Sequence, residues 1–262
     1  MLKNDIYLSN GVAMPNIMIG SFQVENQSIM TDMVATAIEE ECYGFDTSPS
    51  YGTEQMLGEA IYKVLKEKKV KREDIFVADK IDGWQMYKSK GEITKYVEKS
   101  LKDLKLEYLD LLLIHWPFDN YLKQTWRSME RLYQKGILRS IGLSNVNIKK
   151  YEQFLKGNPK IEPHVVQNEI HPLNTCNNDV LYFQRRNIVV EAYSPLCRMV
   201  PEIKNSDVLK GMEHKYKKSI PQILLRWNLQ RGIVPIFTSK NKQRIKDNLS
   251  LFDFTIDEND FN

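Results

Sequence analysis

The chain is poor in cysteine. Three residues, Cys42, Cys176 and Cys197, lie far apart along 262 positions. An odd number without metal-ligand spacing excludes a disulfide framework and a thiolate metal cluster, and it fits a reducing compartment. Long apolar runs are missing as well. No segment approaches the ~18 apolar residues of a membrane span. The opening stretch "MLKNDIYLSNG" lacks the apolar core of a signal peptide. The expected location is the cytoplasm, without a membrane partner. Nor does one sign of charge dominate, since 37 basic and 34 acidic residues leave a net charge of +3. The densest basic run, "KEKKVKR" at residues 66–72, has no accompanying aromatic platform. It reads as an exposed helix end and turn, so no nucleic-acid partner is expected. Repeats, low-complexity tracts and linkers are also absent, which leaves one domain over residues 1–262.

What is present is a rhythm. Apolar segments recur as "NIMIGSF" (16–22), "GFDTS" (44–48), "IFVADK" (75–80) and "LDLLLIHW" (109–116). They continue as "SIGLSN" (140–145), "HVVQNE" (164–169), "IVVEAYS" (188–194) and "IVPIFTS" (233–239). Continuous rather than alternating apolar runs indicate strands buried on both faces, as parallel sheets require. Helical patterns separate them: "TDMVATAIEE", "EQMLGEAIYKVLKEK", "KGEITKYVEKSLKDLKL", "LKQTWRSMERLYQKG", "NIKKYEQFLKG", "DVLYFQRRN", "SIPQILLRWNLQRG" and "NKQRIKDNLS". Eight strand-helix alternations imply an α/β fold, a closed (β/α)8 TIM barrel. The alternative, an open doubly wound sheet, usually carries a Gly-rich phosphate turn after its first strand, and "IGSFQ" is no such turn. Ahead of the first strand, "DIYLSNGVAMP" reads as a hairpin with an Asn-Gly turn that closes the barrel bottom.

Function in such barrels sits at the C-terminal strand ends. Those ends carry Asp46, Lys80, His115, Asn145, Gln167, Tyr193 and Ser239. An acid ending a buried strand needs a cation opposite it, and Lys80 on the next strand is the natural partner. Tyr51, on the loop after Asp46, is within reach of both. A nearby ammonium is expected to lower the phenol's pKa from about 10 toward a useful range. A neutral imidazole at His115 is expected to donate a hydrogen bond to a substrate oxygen. Together these groups suit protonation of a developing alkoxide, which is carbonyl reduction. Taken singly, each has a plainer reading: a capping Asp, a solvated Lys, a packed imidazole beside Trp116, a loop aromatic. Four chance placements at successive strand ends are improbable. Phe22, Trp84 and Trp116 stand at loop starts and are expected to line an apolar substrate pocket. Paired His or carboxylate clusters with ligand spacing are missing there, so no metal is expected.

The spacing of Asp46, Tyr51, Lys80 and His115, with "GFDTSPSYGTE", "LDLLLIHWP", "GLSN", "VVQNEIHP" and "YSPL", resembles the aldo-keto reductase family from about residue 7 to 257. The resemblance implies a (β/α)8 barrel binding an extended nicotinamide dinucleotide without a Rossmann domain. It implies Tyr51 as general acid, Lys80 and Asp46 as its tuning pair, and His115 as the group orienting the carbonyl. Ser144, Asn145 and Gln167 match positions holding the nicotinamide carboxamide, and Tyr193 matches the aromatic stacked on its ring. Ser194 and Leu196 match the pyrophosphate path. Ser239, Arg244 and Asn248 match the adenosine end, with Asp247 where glutamate is more usual.

Three departures from the family pattern stand out. Phe237-Thr238-Ser239 replaces Pro-Lys-Ser, which removes a lysine that supports the extra phosphate of NADPH. With Arg244 retained, NADPH is still expected to be favoured, with NADH usable. Ile81-Asp82-Gly83 stands where an aromatic often follows the lysine. The tail, ending "FDFTIDENDFN", is short, which is expected to leave the site more open and less selective. The expected partner is a small-molecule carbonyl, and a monomer is favoured. The alternative reading is a cofactor-binding redox-sensing or regulatory subunit on the same barrel.

Overall fold

The computed structural model describes residues 5–68 and 70–261. Strands β1 (Asp5–Tyr7) and β2 (Ala13–Pro15) pair antiparallel. Asn10 and Gly11 turn the chain between them, Gly11 with φ at 81°, where only glycine is unstrained. The barrel then begins at β3 (Met18–Gly20), α1 (Gln27–Glu39), β4 (Gly44–Asp46), α2 (Glu54–Lys68) and β5 (Phe76–Ile81). It continues with α3 (Gly83–Ser89), α4 (Thr94–Leu104), β6 (Leu111–Ile114), α5 (Leu122–Gln134), β7 (Ile141–Ser144) and α6 (Ile148–Leu155). Then follow β8 (Val165–Glu169), α7 (Asn177–Arg185), β9 (Val189–Tyr193), α8 (Pro201–Lys204) and α9 (Asp207–Tyr216). The chain closes with α10 (Ile220–Gln230), β10 (Ile233–Phe237), α11 (Lys242–Leu249) and the one-turn α12 (Glu258–Phe261). Strands β3 to β10 are parallel and form a closed barrel, with β10 beside β3 at the seam. The (β/α)8 expectation holds and the open sheet does not. Helices α3, α8 and α9 were not anticipated. Lys66 and Lys68 close α2 as expected, whereas Lys69, residues 1–4 and residue 262 lie outside the described residues.

Strand alternation decides which side chains enter the barrel. Met18, Phe76, Ala78, Leu111, Leu113, Val165, Val234 and Ile236 form one buried cluster, and Leu8 and Met14 of the hairpin region pack into it. The hairpin therefore does close the barrel floor. Ile19, Phe45, Val77, Leu112, Ile141, Leu143, Val166 and Val190 belong instead to the large cluster shared with the helices. Continuing the inward set upward along each strand leads from Ala78 to Lys80, from Val165 to Gln167, and from Gly142 to Ser144. Polar residues thus take over where the apolar filling stops.

Helix α2 begins three residues after Tyr51 and is pressed against α4. A Cβ on Gly58 would lie 2.6 Å from the Asp103 carbonyl oxygen and the Leu104 backbone, so no larger residue fits. The outward neighbour of Lys80 is Asp79, fully buried, its carboxyl oxygens without a well-formed hydrogen bond among the described residues. Burial, and then the charge of Glu54 on α2, push the Asp79 carboxyl well above the usual carboxylate range. Glu54 is raised too, chiefly by burial. An acid whose folded pKa is raised binds its proton more tightly folded than unfolded, so its ionisation costs stability as pH rises from about 4. Asp79→Asn is expected to match the parent near pH 4 and to exceed it by on the order of 1 kcal/mol at pH 8. Urea unfolding at the two pH values checks this, and a parent as stable at pH 8 as its variant would refute it.

Candidate active site

Three strand ends, those of β4, β5 and β6, and the loop carrying Tyr51 meet at the barrel mouth. Lys80 is completely buried, and its Nζ donates to both Asp46 carboxylate oxygens at 2.6 Å and to the Thr47 carbonyl at 2.9 Å. Burial works against the ammonium, but Asp46, Tyr51 and Glu191 outweigh it and hold the Lys80 pKa above its ordinary value. Ser48, Pro49 and Gly52 shape the loop that presents Tyr51. The Ser48 hydroxyl caps a 3-10 turn over Pro49–Tyr51, and Gly52 ends it with φ at 67°. Tyr51 is thereby set with its ring centroid 5.0 Å from Lys80 Nζ and 5.8 Å from the His115 ring, edge-on. The four sequence-derived residues are brought together.

Two expectations about them need correcting. Burial pushes the Tyr51 phenol up from its ordinary pKa, and the opposing pull of Lys80 does not offset it. The ammonium is already bound on two sides by Asp46, whose own charge adds to the upward shift. The second correction concerns His115. Its Nδ1 lies 2.6 Å from Asp82 Oδ1, so that nitrogen carries a proton and donates. A neutral ring then has a bare Nε2, an acceptor; only the doubly protonated ring donates from Nε2. Sequence reasoning noted Asp82 as a departure but missed this partnership. The Ser48 and Ser50 hydroxyls also donate to Asp82 Oδ1, at 3.4 and 3.2 Å.

A second set of polar groups lines the ends of β7 to β9. Asn145 Nδ2 donates to the His115 carbonyl at 2.9 Å and to Ser144 Oγ at 3.1 Å. Its Oδ1 accepts from the Tyr193 hydroxyl at 2.8 Å, which fixes that half-buried ring beside the amide. Gln167 Nε2 donates to Asp46 Oδ2 at 3.1 Å. These groups fit a primary carboxamide, because a hydroxyl and two amide carbonyls remain to face it with an aromatic ring alongside. The remaining cofactor candidates extend toward β10. Ser194 and Leu196 are half-buried in the loop after β9, the Ser194 carbonyl accepting from Cys197 N at 2.9 Å. The Thr238 hydroxyl donates to the Gly20 carbonyl at 2.9 Å across the seam. Ser239 precedes α11, whose N-cap Asn241 accepts from Arg244 N at 3.0 Å. Arg244 is exposed and Asn248 buried.

Of the three pocket aromatics, Phe22 packs 5.0 Å from the Tyr51 ring and Trp116 6.1 Å from the His115 ring. Both stay about half exposed, at 46% and 47%. Trp84 instead packs on Tyr96 at 5.4 Å and under Lys88. Near it, a cleft of about 260 Å³ is lined by Gly83, Met86, Tyr87, Phe118, Asn120 and Tyr121, none of them in the tetrad. Among the described residues no group of three or more His, Cys, Asp or Glu is placed to hold a metal ion.

The family model for the aldo/keto reductase family matches residues 16–262. The chain belongs to this family. A glyoxal reductase of Bacillus subtilis is 39% identical over 259 residues, covering 99% of this chain and 91% of that protein. An NADPH-dependent D-xylose reductase of Meyerozyma guilliermondii is 32% identical over 294 residues, covering 98% and 92%. The crystal structure of a Bombyx mori aldo-keto reductase in complex with NADP superposes with a TM-score of 0.91 at 31% identity, covering all of this chain and 91% of that one. This aldo/keto reductase is therefore an NAD(P)H-dependent oxidoreductase acting on small carbonyl compounds.

The Asp82 contact generates a test. In ¹⁵N spectra of the His115 ring, the neutral form is expected as the Nδ1–H tautomer, and Asp82→Ala is expected to shift it toward Nε2–H. A hydrogen bond to a charged group is worth roughly 1.5–3 kcal/mol, so kcat/KM should fall about 10- to 100-fold in the same variant. A parent ring that is neutral with its proton on Nε2 would refute the assignment.

Proposed function

We propose that this chain reduces an aldehyde or ketone to an alcohol with NADPH, Tyr51 giving the proton. The observation carrying this reading is the Lys80 ammonium, tied to Asp46 at 2.6 Å and set 5.0 Å from the Tyr51 ring. Ser144, Asn145, Gln167 and Tyr193 would hold the nicotinamide, which would supply the hydride when bound. Tyr51, kept protonated at neutral pH by its buried setting, passes its phenolic proton to the carbonyl oxygen. Lys80 stabilises the phenolate left behind, and Asp46 keeps the ammonium charged and in place. His115 orients the substrate oxygen from Nε2–H in its doubly protonated form, with Asp82 holding the ring through Nδ1. Phe22 and Trp116 exclude water from the reacting carbonyl and favour an apolar substituent on it. The sensing-subunit alternative gains nothing from the relatives named above, which are reductases.

The adenosine 2′-phosphate is read at the start of α11 by Ser239 and Arg244. We take the enzyme to be cytoplasmic; no helix among the described residues is long and apolar enough to cross a membrane. We take the working unit to be a monomer acting as one domain, because the candidate residues all come from one barrel mouth.

Tyr51→Phe should lower kcat for aldehyde reduction about 10²- to 10⁴-fold, the usual worth of a general acid, while the NADPH dissociation constant stays near the parent's. Stopped-flow turnover with a cofactor titration checks both, and near-full turnover would dismiss Tyr51 as the acid. A second test concerns cofactor choice. Arginine forks onto phosphate oxygens, and an exposed contact of this kind should contribute about tenfold in affinity. Arg244→Ala is therefore expected to weaken NADPH about tenfold and NADH little. Equal weakening of both would assign Arg244 to the adenine ring instead.

A further inference from the structure

Strand β9 buries a carboxyl group that none of the steps above uses. Glu191 is fully buried inside the barrel, two residues before Tyr193. Its Oε2 accepts from Gln167 Nε2 at 2.8 Å, while its Oε1 has no partner among the described residues. The same Gln167 nitrogen donates to Asp46 Oδ2 at 3.1 Å. A primary amide nitrogen carries two hydrogens, so both are committed, one to each acid. Reversing the amide would set its carbonyl oxygen against the Lys80-bound Asp46 carboxylate, a repulsive arrangement deep in the barrel. Gln167 is consequently fixed in one sense and has only its carbonyl oxygen left for a ligand. Burial, then the charge of Asp46, push the Glu191 carboxyl up to about 8, so it is largely neutral at pH 7. Oε2 then serves as a carbonyl-type acceptor, which keeps the contact without a second full negative charge beside Asp46.

We propose that Glu191 is a positioning residue for the nicotinamide cofactor: it locks the Gln167 amide so that its carbonyl oxygen accepts from the NH2 of the nicotinamide carboxamide. The lock determines which polarity the barrel mouth offers at that point. It supplements Asn145, whose two amide hydrogens are likewise committed and whose oxygen faces Tyr193. The inference rests on Gln167 contacting the carboxamide, and the experiment separates the two.

Binding is measured by quenching of tryptophan fluorescence with two probes, NADP and adenosine 2′,5′-bisphosphate, which lacks the nicotinamide. In Glu191→Met the acceptor is gone, and the NADP dissociation constant should rise about fivefold, the worth of one net hydrogen bond. Binding of adenosine 2′,5′-bisphosphate should be unchanged. Glu191→Gln retains an oxygen that accepts from Gln167 and should stay within about twofold of the parent for both probes. Gln167→Leu tests the contact itself and should weaken NADP alone. If Gln167→Leu weakens NADP but Glu191→Met does not, the lock is refuted and the contact stands. If Gln167→Leu changes neither probe, the contact is refuted and the lock with it. Weakening of both probes by Glu191→Met marks a general structural role and also overturns the proposal. Should the Met variant fail to fold, Glu191→Asp, one methylene short of Gln167, is read by the same criteria.

Discussion

The buried ion pair of Lys80 and Asp46 is the constraint to which the barrel mouth is fitted. A lysine with no exposed surface loses its hydration shell, a loss of several kcal/mol after relaxation. Two 2.6 Å bonds to one carboxylate and a third to the Thr47 carbonyl replace that shell. Three donors are thereby committed, and the charge is kept. Everything else at the site is arranged around a cation that cannot turn elsewhere. Asp46 needs a further donor, and Gln167 provides it. Tyr51 lies over the ammonium's remaining open side, with its phenol kept from ionising by burial. A protonated phenol beside a fixed cation suits the proposed direction of proton flow, from the phenol to an oxygen gaining negative charge.

Much of this arrangement was legible in the sequence because parallel barrels write their strands as plain apolar runs. Each run ended within a few residues of the observed strand, and the inward columns of β5, β7 and β8 ended in Lys80, Ser144 and Gln167. "IFVADK" shows why. Phe76 and Ala78 fill the barrel, so the period of two sends Lys80 to the same side. The helices with clear periodicity were equally readable, "EQMLGEAIYKVLKEK" being α2 from its first residue to its last. Helices α3, α8 and α9 lay in stretches with no strand signal to frame them, and α8 is a single turn started by Pro201.

The unread part of the site consists of contacts that cross between strands. Asp82 follows "DKI" as an apparent loop residue, and only the meeting of β5 with β6 brings it to His115. That contact decides which imidazole nitrogen is free, a matter on which composition and spacing are silent. Glu191 is hidden for another reason. In "VVEAY" it looks like a polar residue on the outer face of a strand, whereas Val190 and Ala192 take the outer face and Glu191 points inward. The tyrosine was placed correctly, but its acidity was judged from one neighbour. Burial acts on the phenol more strongly than a cation already shared with Asp46.

Asp79 and Lys80 are consecutive, fully buried, and directed to opposite sides of β5. A slip of one residue in the pairing of β5 with β4 or β6 would exchange those sides. Lysine would then enter the helix layer, where Val77 and Ile81 now pack, and the acid would enter the barrel beside Asp46. The acid would then face Asp46 without the ammonium that Asp46 now binds, a cost that shifting an all-apolar strand does not carry. The pair therefore ties the register of β5 to the charges at the mouth, since one alignment alone sets the lysine beside Asp46.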